Sequence, residues 1–251
     1  MKVRIGLALV AAALFSLSGC SEPEQAKKEP PKLTQLDQRL TLAESAGLMD
    51  KRMPMKKLME QYVSVEVVDL DSGEYRDASM SVDESFSAFP IDPSNAVKLS
   101  SRDDLAGIKM RENRLPVYLI KDDNGQVSRI VLPIRGEGKF GLIYGYLALY
   151  SDNYHIASLS FYKHGESAGL GAEITDNANW TKQFKGKPLF DQGHPSIRIV
   201  QEGRNTQDAY SVDGISGATY TSQGIEHAIN FWTGEQGFGK FLIQYASHKH
   251  Y

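Results

Sequence analysis

Five serine and threonine hydroxyls fall within a short stretch near the C-terminal end of the chain, SVDGISGATYTSQG. Apolar residues recur at helical spacing directly after it, at Ile225, Ala228, Ile229 and Trp232. Hydroxyl side chains at the start of a helix usually cap its free amides, and Thr221 or Ser222 is expected to do so here. Thr219 comes just before these caps, where free amides and the helix dipole would stabilise a phosphate.

Small residues surround this hydroxyl. Gly214 and Gly217 loosen the backbone, and the Gly217-Ala218 pair leaves the approach to Thr219 uncrowded. The local sequence therefore allows a phosphate attached to Thr219 or held near it, but does not require one.

The segment DGISGAT, Asp213 to Thr219, resembles the flavinylation motif Asp-x-x-Ser/Thr-Gly-Ala-Ser/Thr of FMN-binding proteins of the bacterial envelope. In that family a flavin transferase cleaves FAD and joins FMN, through its phosphate, to the hydroxyl of the last motif residue. The resemblance implies covalent FMN on Thr219, with Asp213 read by the transferase or ordering the turn. It also implies that three backbone amides hold the phosphate and ribityl region, those of Ser216, Gly217 and Ala218.

A second segment, YKHGESAGLGAEI, is similar to the Glu-Thr-Pro-Gly-Leu-Gly loop in the C-subunit of the Na+-translocating NADH:quinone reductase. Read from its residues alone, it is a plain turn between a strand and a helix. The resemblance implies cofactor-binding roles for Glu166, Ser167, Gly169, Leu170 and Gly171, with Leu170 packing on the flavin ring and Ser167 bonding a ring heteroatom. Ser167 and Ala168 replace the Thr and Pro of the family, and losing the fixed φ of proline predicts a looser loop.

Other stretches fit the same family in chain order, namely YVSVEVVDLDSGEY, PIRGEGKFGLIYGYLAL, WTKQFKGK and the run from SVDGISGAT to GFGKFL. The resemblance therefore covers nearly the whole mature chain. It implies an electron carrier whose partners are a flavin transferase during maturation and other subunits of a membrane redox complex, or a separate extracytoplasmic redox protein. Thr219 is then an attachment point, and no residue is expected to be catalytic.

The N-terminal segment reads as a bacterial lipoprotein signal. Residues 1–19 combine Lys2 and Arg4 with an apolar run too short to span a bilayer. Leu17-Ser18-Gly19-Cys20 resembles a lipobox, which predicts lipid on Cys20 and an extracytoplasmic protein anchored to a membrane; an ordinary secretory signal is the alternative. The family has a transmembrane helix at this position, so a place in the sodium pump stays open, as does inner or outer membrane.

Cysteine usage and charge exclude several functions. Cys20 is the only cysteine, which excludes a disulfide, a cysteine-ligated iron–sulfur cluster and a zinc ribbon. The formal charge of −3 becomes −5 without Lys2 and Arg4, which argues against a nucleic-acid partner. No metal site is expected, because the pair His248 and His250 falls in a C-terminal tail predicted to fray.

The pattern predicts an α+β fold, a mostly antiparallel sheet flanked by helices. The strongest strand signals are YVSVEVVDL, LPVYLIK, VSRIVLPIR, LIYGYLALY, IASLSFYKH and PSIRIV. Helices are predicted near Leu33–Leu42, Met53–Met59 and in NWTKQFKG, with Trp180 and Trp232 in the core, and the stretch before Leu99 reads as irregular. The expected organisation is a tether (20–32), an N-terminal mixed segment (33–114) and an FMN-binding domain (115–251).

Two alternatives remain at this stage. A non-redox envelope lipoprotein could use the same fold for binding or scaffolding, although the attachment threonine is intact. The second alternative is an FMN reductase that acts alone on a small substrate. The sequence does not support it, because no convergent acid–base pair is recognisable.

Overall fold

The computed structural model describes residues 34–89, 91–204 and 208–249. The predicted signal segment, Cys20, the tether and His250 lie outside these residues. Residues 31–251 form one compact unit. Within the described part of the chain, no helix is long and apolar enough to cross a membrane.

The described residues form short helices and longer strands. The helices are α1 (Gln38–Ala46), α2 (Met55–Tyr62), α3 (Val82–Ala88), α4 (Glu173–Asp176), α5 (Ala178–Lys182), α6 (Thr219–Thr233) and α7 (Gly239–Lys249). The strands are β1 (Thr34–Gln35), β2 (Val63–Asp69), β3 (Tyr75–Asp77), β4 (Ala96–Lys98), β5 (Met110–Glu112), β6 (Arg114–Lys121), β7 (Val127–Gly138), β8 (Gly141–Tyr150), β9 (Ile156–His164), β10 (Phe190–Asp191), β11 (His194–Pro195), β12 (Arg198–Val200) and β13 (Ser211–Asp213).

One seven-stranded antiparallel sheet organises the molecule, in the order β1-β9-β8-β7-β6-β2-β3. This confirms the predicted α+β class with a mostly antiparallel sheet and flanking helices. Five of the six strongest strand signals of the sequence correspond to β2 and β6 to β9, and the sixth, PSIRIV, contains β12, which pairs with β13 in a separate two-stranded sheet. Since β2 and β3 pair into this sheet, residues on both sides of the predicted boundary at 114/115 contribute strands to it.

Both faces of the sheet are covered, because successive side chains of a strand point to opposite faces. On one face, Ile130, Leu132 and Ile134 of β7 belong to a core cluster with Trp232 of α6 and Phe241 of α7. On the other face, Val131 belongs to a cluster with residues of α1 and α2. Trp180 and Trp232 are buried, as predicted.

The two ends of the sheet carry different turns. At one end, the β7–β8 hairpin turns at Lys139 and Phe140, with Gly138 opposite Gly141. His164 ends β9 at this same end, and Thr34 pairs with it. At the opposite end the β6–β7 connection runs through residues 122–126. We call these the 139–140 end and the 122–126 end.

Two helices appear where the sequence predicted none. Ser81 and Glu84 form a capping box that starts α3, inside the stretch interpreted as irregular. Residues Gly239–Lys249 form α7, so His248 lies in a helix rather than in a fraying tail, and it makes a 3.2 Å hydrogen bond with the Tyr75 hydroxyl. Both predictions were wrong because α3 is too short to show a helical period, and α7 is stabilised by packing of Phe241 and Tyr245 on Tyr75.

Glycines allow α6 to lie directly against β7. A Cβ at Gly136 would be 2.7 Å from the Cβ of Ala228 and 2.9 Å from the carbonyl oxygen of Gly224. A Cβ at Gly224 would overlap the carbonyl oxygen of Glu137. Because backbone atoms occupy the space on both sides, only glycine permits this distance between helix and strand.

We predict that Gly224→Ala destabilises the protein. Alanine in a helix interior is normally better than glycine by about 1 kcal/mol. Here the added methyl group must displace β7, and overpacking of this kind costs roughly 1–3 kcal/mol. Chemical denaturation should show the loss, while the exposed neighbouring substitution Gln223→Ala should change the free energy of unfolding by about 0.5 kcal/mol or less. An unchanged or raised midpoint for Gly224→Ala would contradict the tight contact.

Candidate functional site

Thr219 is the first residue of α6, and it is exposed. Ala218 occupies the N-cap position, and no side chain caps the helix there. The predicted caps are therefore wrong: Thr221 donates its hydroxyl hydrogen to Glu166, and the Ser222 hydroxyl accepts a 3.0 Å bond from the Ile215 amide. The N-cap, Ala218, thus lies three residues before Thr221 and four before Ser222, and the hydroxyl of Thr219 is in the first turn of the helix.

The turn that leads to Thr219 is fixed at its start. Asp213 ends β13, opposite Val200 in a parallel pair with β12, and Gly214 donates a 2.7 Å bond to the Val200 carbonyl. The indole nitrogen of Trp180 donates a 2.8 Å bond to the Asp213 carbonyl. The Gln183 side chain accepts a 3.0 Å bond from the Asp213 amide. Helix α5 and the residue after it thus hold the backbone of Asp213 in place.

The other end of the turn requires glycine. Gly217 has φ +72°, and a Cβ there would lie 2.9 Å from Cδ2 of Leu170. The Ala218 amide donates a 3.0 Å bond to the Ile215 carbonyl and closes the turn. Leu170, which is 44% exposed, therefore lies beside the residues that precede Thr219.

Glu166 connects three parts of the site. Its carboxylate belongs to a residue that is only 3% exposed, and it accepts hydrogen bonds from the Phe140 amide at 3.0 Å and from the Thr221 hydroxyl. A Cβ at Gly138 or Gly171 would come within 2.5 Å of one of its oxygens. The single buried carboxylate thus holds together the β7–β8 hairpin, the loop 165–171 and the first turn of α6.

His164 extends this network below the loop. Its Nδ1 accepts a 3.1 Å bond from the Glu166 amide, so that nitrogen carries no proton, and its Nε2 lies 3.0 Å from the Thr175 hydroxyl. Burial lowers the pKa of His164, and the charges of Glu166 and Asp176 oppose this effect in part. The imidazole is therefore neutral and acts as a structural hydrogen-bond bridge between β9 and α4.

Two cavities meet at the turn before α6, sharing Gly214, Ile215, Ser216 and Glu202. The first, of about 430 Å³, has Thr219, Gly217 and Ser222 in its wall. The second, of about 420 Å³, is lined by Gly169, Trp180 and Asp213 among others. Both fall within the roughly 300–1,000 Å³ range of ligand pockets. The second cavity is lined by three acidic residues, Glu173, Glu202 and Asp213, whereas the first has only the shared Glu202. A phosphate is therefore favoured on the α6 side, near the helix N-terminus.

The structure brings most of the predicted site residues together. Asp213, Ser216, Gly217 and Gly169 line the cavities, Leu170 lies against Gly217, and Ala218 precedes Thr219 in the chain. Ser167 is half-buried, and its carbonyl accepts bonds from the amides of Leu170 at 3.2 Å and Ala172 at 3.0 Å. Glu166 and Gly171 are buried, and neither lines these two cavities. A direct cofactor contact by these two residues stays a prediction.

Several residues of the site were not predicted from the sequence. Sequence reasoning missed His164, Gln183, Glu202 and the bond between Thr221 and Glu166. These residues come from distant parts of the chain, so no local spacing indicates their convergence. The position of His164 two residues before Glu166, at the end of a strong strand signal, was the one sequence feature that could have identified it.

The buried neutral imidazole of His164 makes stability depend on pH. Since the folded pKa lies below the unfolded value of about 6.5, the unfolded chain binds an extra proton between the two values. The contribution of neutral His164 is complete above about pH 6.5 and is lost as pH falls towards the folded pKa. We expect the free energy of unfolding to fall with pH in this window, and His164→Gln to flatten that slope.

Comparison with known proteins identifies the fold and the family. Residues 138–234 match the family described as FMN-binding domain, a range that includes the turn of the β7–β8 hairpin, the loop 165–171 and all of α6. The crystal structure of NqrC from Shewanella oneidensis superposes with a TM-score of 0.76 at 31% identity, covering 83% of this chain and 96% of that one.

Curated relatives match almost the whole chain. The C-subunit of the Na(+)-translocating NADH-quinone reductase of Haemophilus ducreyi is 36% identical over 84% of this chain and 81% of its own. The protein of the same name from Vibrio vulnificus is 35% identical over 96% of this chain and 92% of its own. This chain therefore belongs to the NqrC family, the C-subunits of the Na+-translocating NADH-quinone reductase.

Proposed function

We propose that this protein is an extracytoplasmic electron carrier of a membrane NADH:quinone reductase complex and holds FMN through a phosphoester to Thr219. One observation carries the proposal: the last residue of DGISGAT is an exposed hydroxyl at an uncapped helix N-terminus, in the wall of a cavity. Membership of the NqrC family and the match to the FMN-binding domain support the cofactor.

The residues present fit FMN. A phosphoester on Thr219 would lie at the start of α6, where amides without a side-chain cap and the helix dipole stabilise negative charge. Gly217, with its positive φ, leaves the cavity side of the turn free of a side chain. Leu170 offers an exposed apolar surface beside this turn. These groups would hold the phosphate and place the flavin ring next to the loop 165–171.

Thr219 would react once, during maturation. Its hydroxyl oxygen would form a bond to the FMN phosphorus of FAD, AMP would leave, and the hydroxyl proton would be released, with a flavin transferase supplying the activation. Glu166 would act indirectly, by holding Thr221 and with it the first turn of α6. FMN, once bound, supplies one- and two-electron transfer.

We further propose that lipid on Cys20 anchors the protein to a bacterial membrane. The proposal depends on the lipobox Leu17-Ser18-Gly19-Cys20 and on the polar, proline-containing segment that follows it. The flavin would then work on the extracytoplasmic side, next to the other subunits of the complex. Sodium transport would be a property of that complex rather than of this chain alone.

We predict that Thr219 alone accepts the flavin. After co-expression with a flavin transferase, the intact mass of the wild type and of Thr219→Ser should increase by one FMN ester. Thr219→Ala should show no increase, since no hydroxyl remains at the position. Ser216→Ala is the matched control and should keep the modification, because the alanine retains the backbone amide. A Thr219→Ala protein that still gains the mass would refute the attachment site.

We predict that Cys20→Ser releases the protein from the membrane. The mature wild type should begin at an acylated Cys20 and partition into a detergent phase. Cys20→Ser lacks the sulfur that carries the lipid, and Ser21→Ala should behave as the wild type. A wild type without acyl mass would disprove the anchor without affecting the prediction for Thr219.

A further inference from the structure

Two exposed aromatic side chains lie beside the turn that carries Thr219, in addition to Leu170, which the proposed flavin would cover. Phe140 is 49% exposed at the tip of the β7–β8 hairpin, and Tyr220 is 67% exposed in the first turn of α6. Large apolar side chains grouped on a surface mark a binding face more often than isolated ones do. We call Phe140 and Tyr220, together with Lys139, the apolar rim.

The rim is held together by the contacts of the site. The Lys139 ammonium lies 4.5 Å from the centre of the Tyr220 ring, in a cation–π contact. The Phe140 amide donates a hydrogen bond to the Glu166 carboxylate, which also accepts one from Thr221 in the first turn of α6. The rim is therefore a fixed surface at the 139–140 end of the sheet, and its members come from two separate segments.

The chain enters the fold at this same end. Strand β1 runs antiparallel to β9, with Thr34 opposite His164 and Gln35 opposite Lys163. Following the chain backwards from Gln35 to Thr34 thus leads towards the end of β9, where the loop 165–171 begins. Thirteen residues lie between Cys20 and Thr34, and an extended chain of that length spans at most roughly 50 Å from Cys20 to Thr34.

The length of this segment also shows that the anchor alone does not orient the domain. Strand β7 is 12 residues long, about 40 Å at 3.3 Å per residue, so the segment could reach past either end of the sheet. The orientation has to come from a surface that prefers the membrane. Aromatic rings with a neighbouring lysine suit the membrane interface, because the rings enter the headgroup region while the ammonium stays in water.

We propose that the apolar rim docks on the lipid surface and turns the Thr219 edge of the domain towards the membrane. The inference rests on the proposed lipid anchor at Cys20, which holds the rim near the bilayer. Two aromatic side chains and one lysine bind a bilayer weakly on their own, but tethering gives them a high effective concentration at the surface. The partner is thus the bilayer itself, and the docked state places the flavin attachment site close to subunits embedded in it.

The single native cysteine makes the test direct. In the lipidated protein Cys20 is acylated, so one introduced cysteine is the only reactive thiol. Phe140→Cys places a polarity-sensitive fluorophore on the rim, and Asn124→Cys places the same label on an exposed turn at the 122–126 end of the same strand. Both proteins are reconstituted in vesicles of phosphatidylethanolamine and phosphatidylglycerol that contain nitroxide-labelled lipids, with unchanged thermal unfolding as the check on folding.

We expect the label at position 140 to be quenched several-fold more strongly than the label at position 124. Adding Tyr220→Ser to the Phe140→Cys protein should reduce the quenching towards that of position 124. Equal quenching at both positions, or stronger quenching at 124, would overturn the inference. A second result would also overturn it. This would be a label at position 140 that stays in water on vesicles without other proteins and is shielded only when the other subunits are added.

Co-sedimentation with the vesicles separates this inference from the proposed anchor. Protein that sediments without a difference between the two labels keeps its anchor and refutes the docking. Protein that does not sediment at all refutes the anchor, and the docking with it.

Discussion

The distance between α6 and β7 is the constraint on which the site depends. At Gly136 and Gly224 the helix and strand are so close that no side chain fits between them. This contact fixes where α6 begins relative to the β7–β8 hairpin. The position of Thr219 is therefore set by backbone packing at Gly224, which lies further along the same helix and is buried. The Thr219 hydroxyl itself is exposed at the start of the helix.

Buried polar pairs further restrict how α6 packs on the sheet. Glu166 is satisfied by a backbone amide and a threonine hydroxyl, which lowers the cost of burying a carboxylate. A second buried pair, Arg135 with Glu112 at 2.7 Å, lies beneath α6, and the Trp232 indole donates to the Arg135 carbonyl. Such pairs contribute little net stability, but breaking one costs about 3–5 kcal/mol, so they restrict how α6 and the neighbouring strands can pack.

The sequence was most informative where structure is local. Alternation and β-branched residues located β2 and β6 to β9, and a period of 3.6 residues located α6, because these signals depend on burial of one face. The segment DGISGAT located the turn before α6. The start of α6 was misplaced because capping propensity assigned Thr221 and Ser222 to solvent-facing amides, whereas tertiary contacts use both hydroxyls.

Contacts between distant segments could not be predicted in the same way. Thr221 and Glu166 are 55 residues apart, and Trp180 and Asp213 are 33 apart, so nothing in the spacing of either pair indicates that they meet. The convergence follows from sheet order, which brings the end of β9 beside the hairpin and under α6. The fold topology therefore brings the hydrogen-bonding partners of Glu166 and Asp213 together, whereas the local sequence determines only which residues each segment contributes.

In the loop 165–171, Ala168 stands where the similar loop of the family has a proline. Ala168 lacks the fixed φ of proline. That restriction stabilises a folded protein mainly by reducing the conformational freedom of the unfolded chain. In the folded protein the loop is held at both sides, by Glu166 on the hairpin and α6, and by two bonds to the Ser167 carbonyl. Gly169, with φ +69°, supplies the left-handed residue of the turn. The position of Leu170 beside Gly217 thus depends on these contacts rather than on the stiffness of the loop itself.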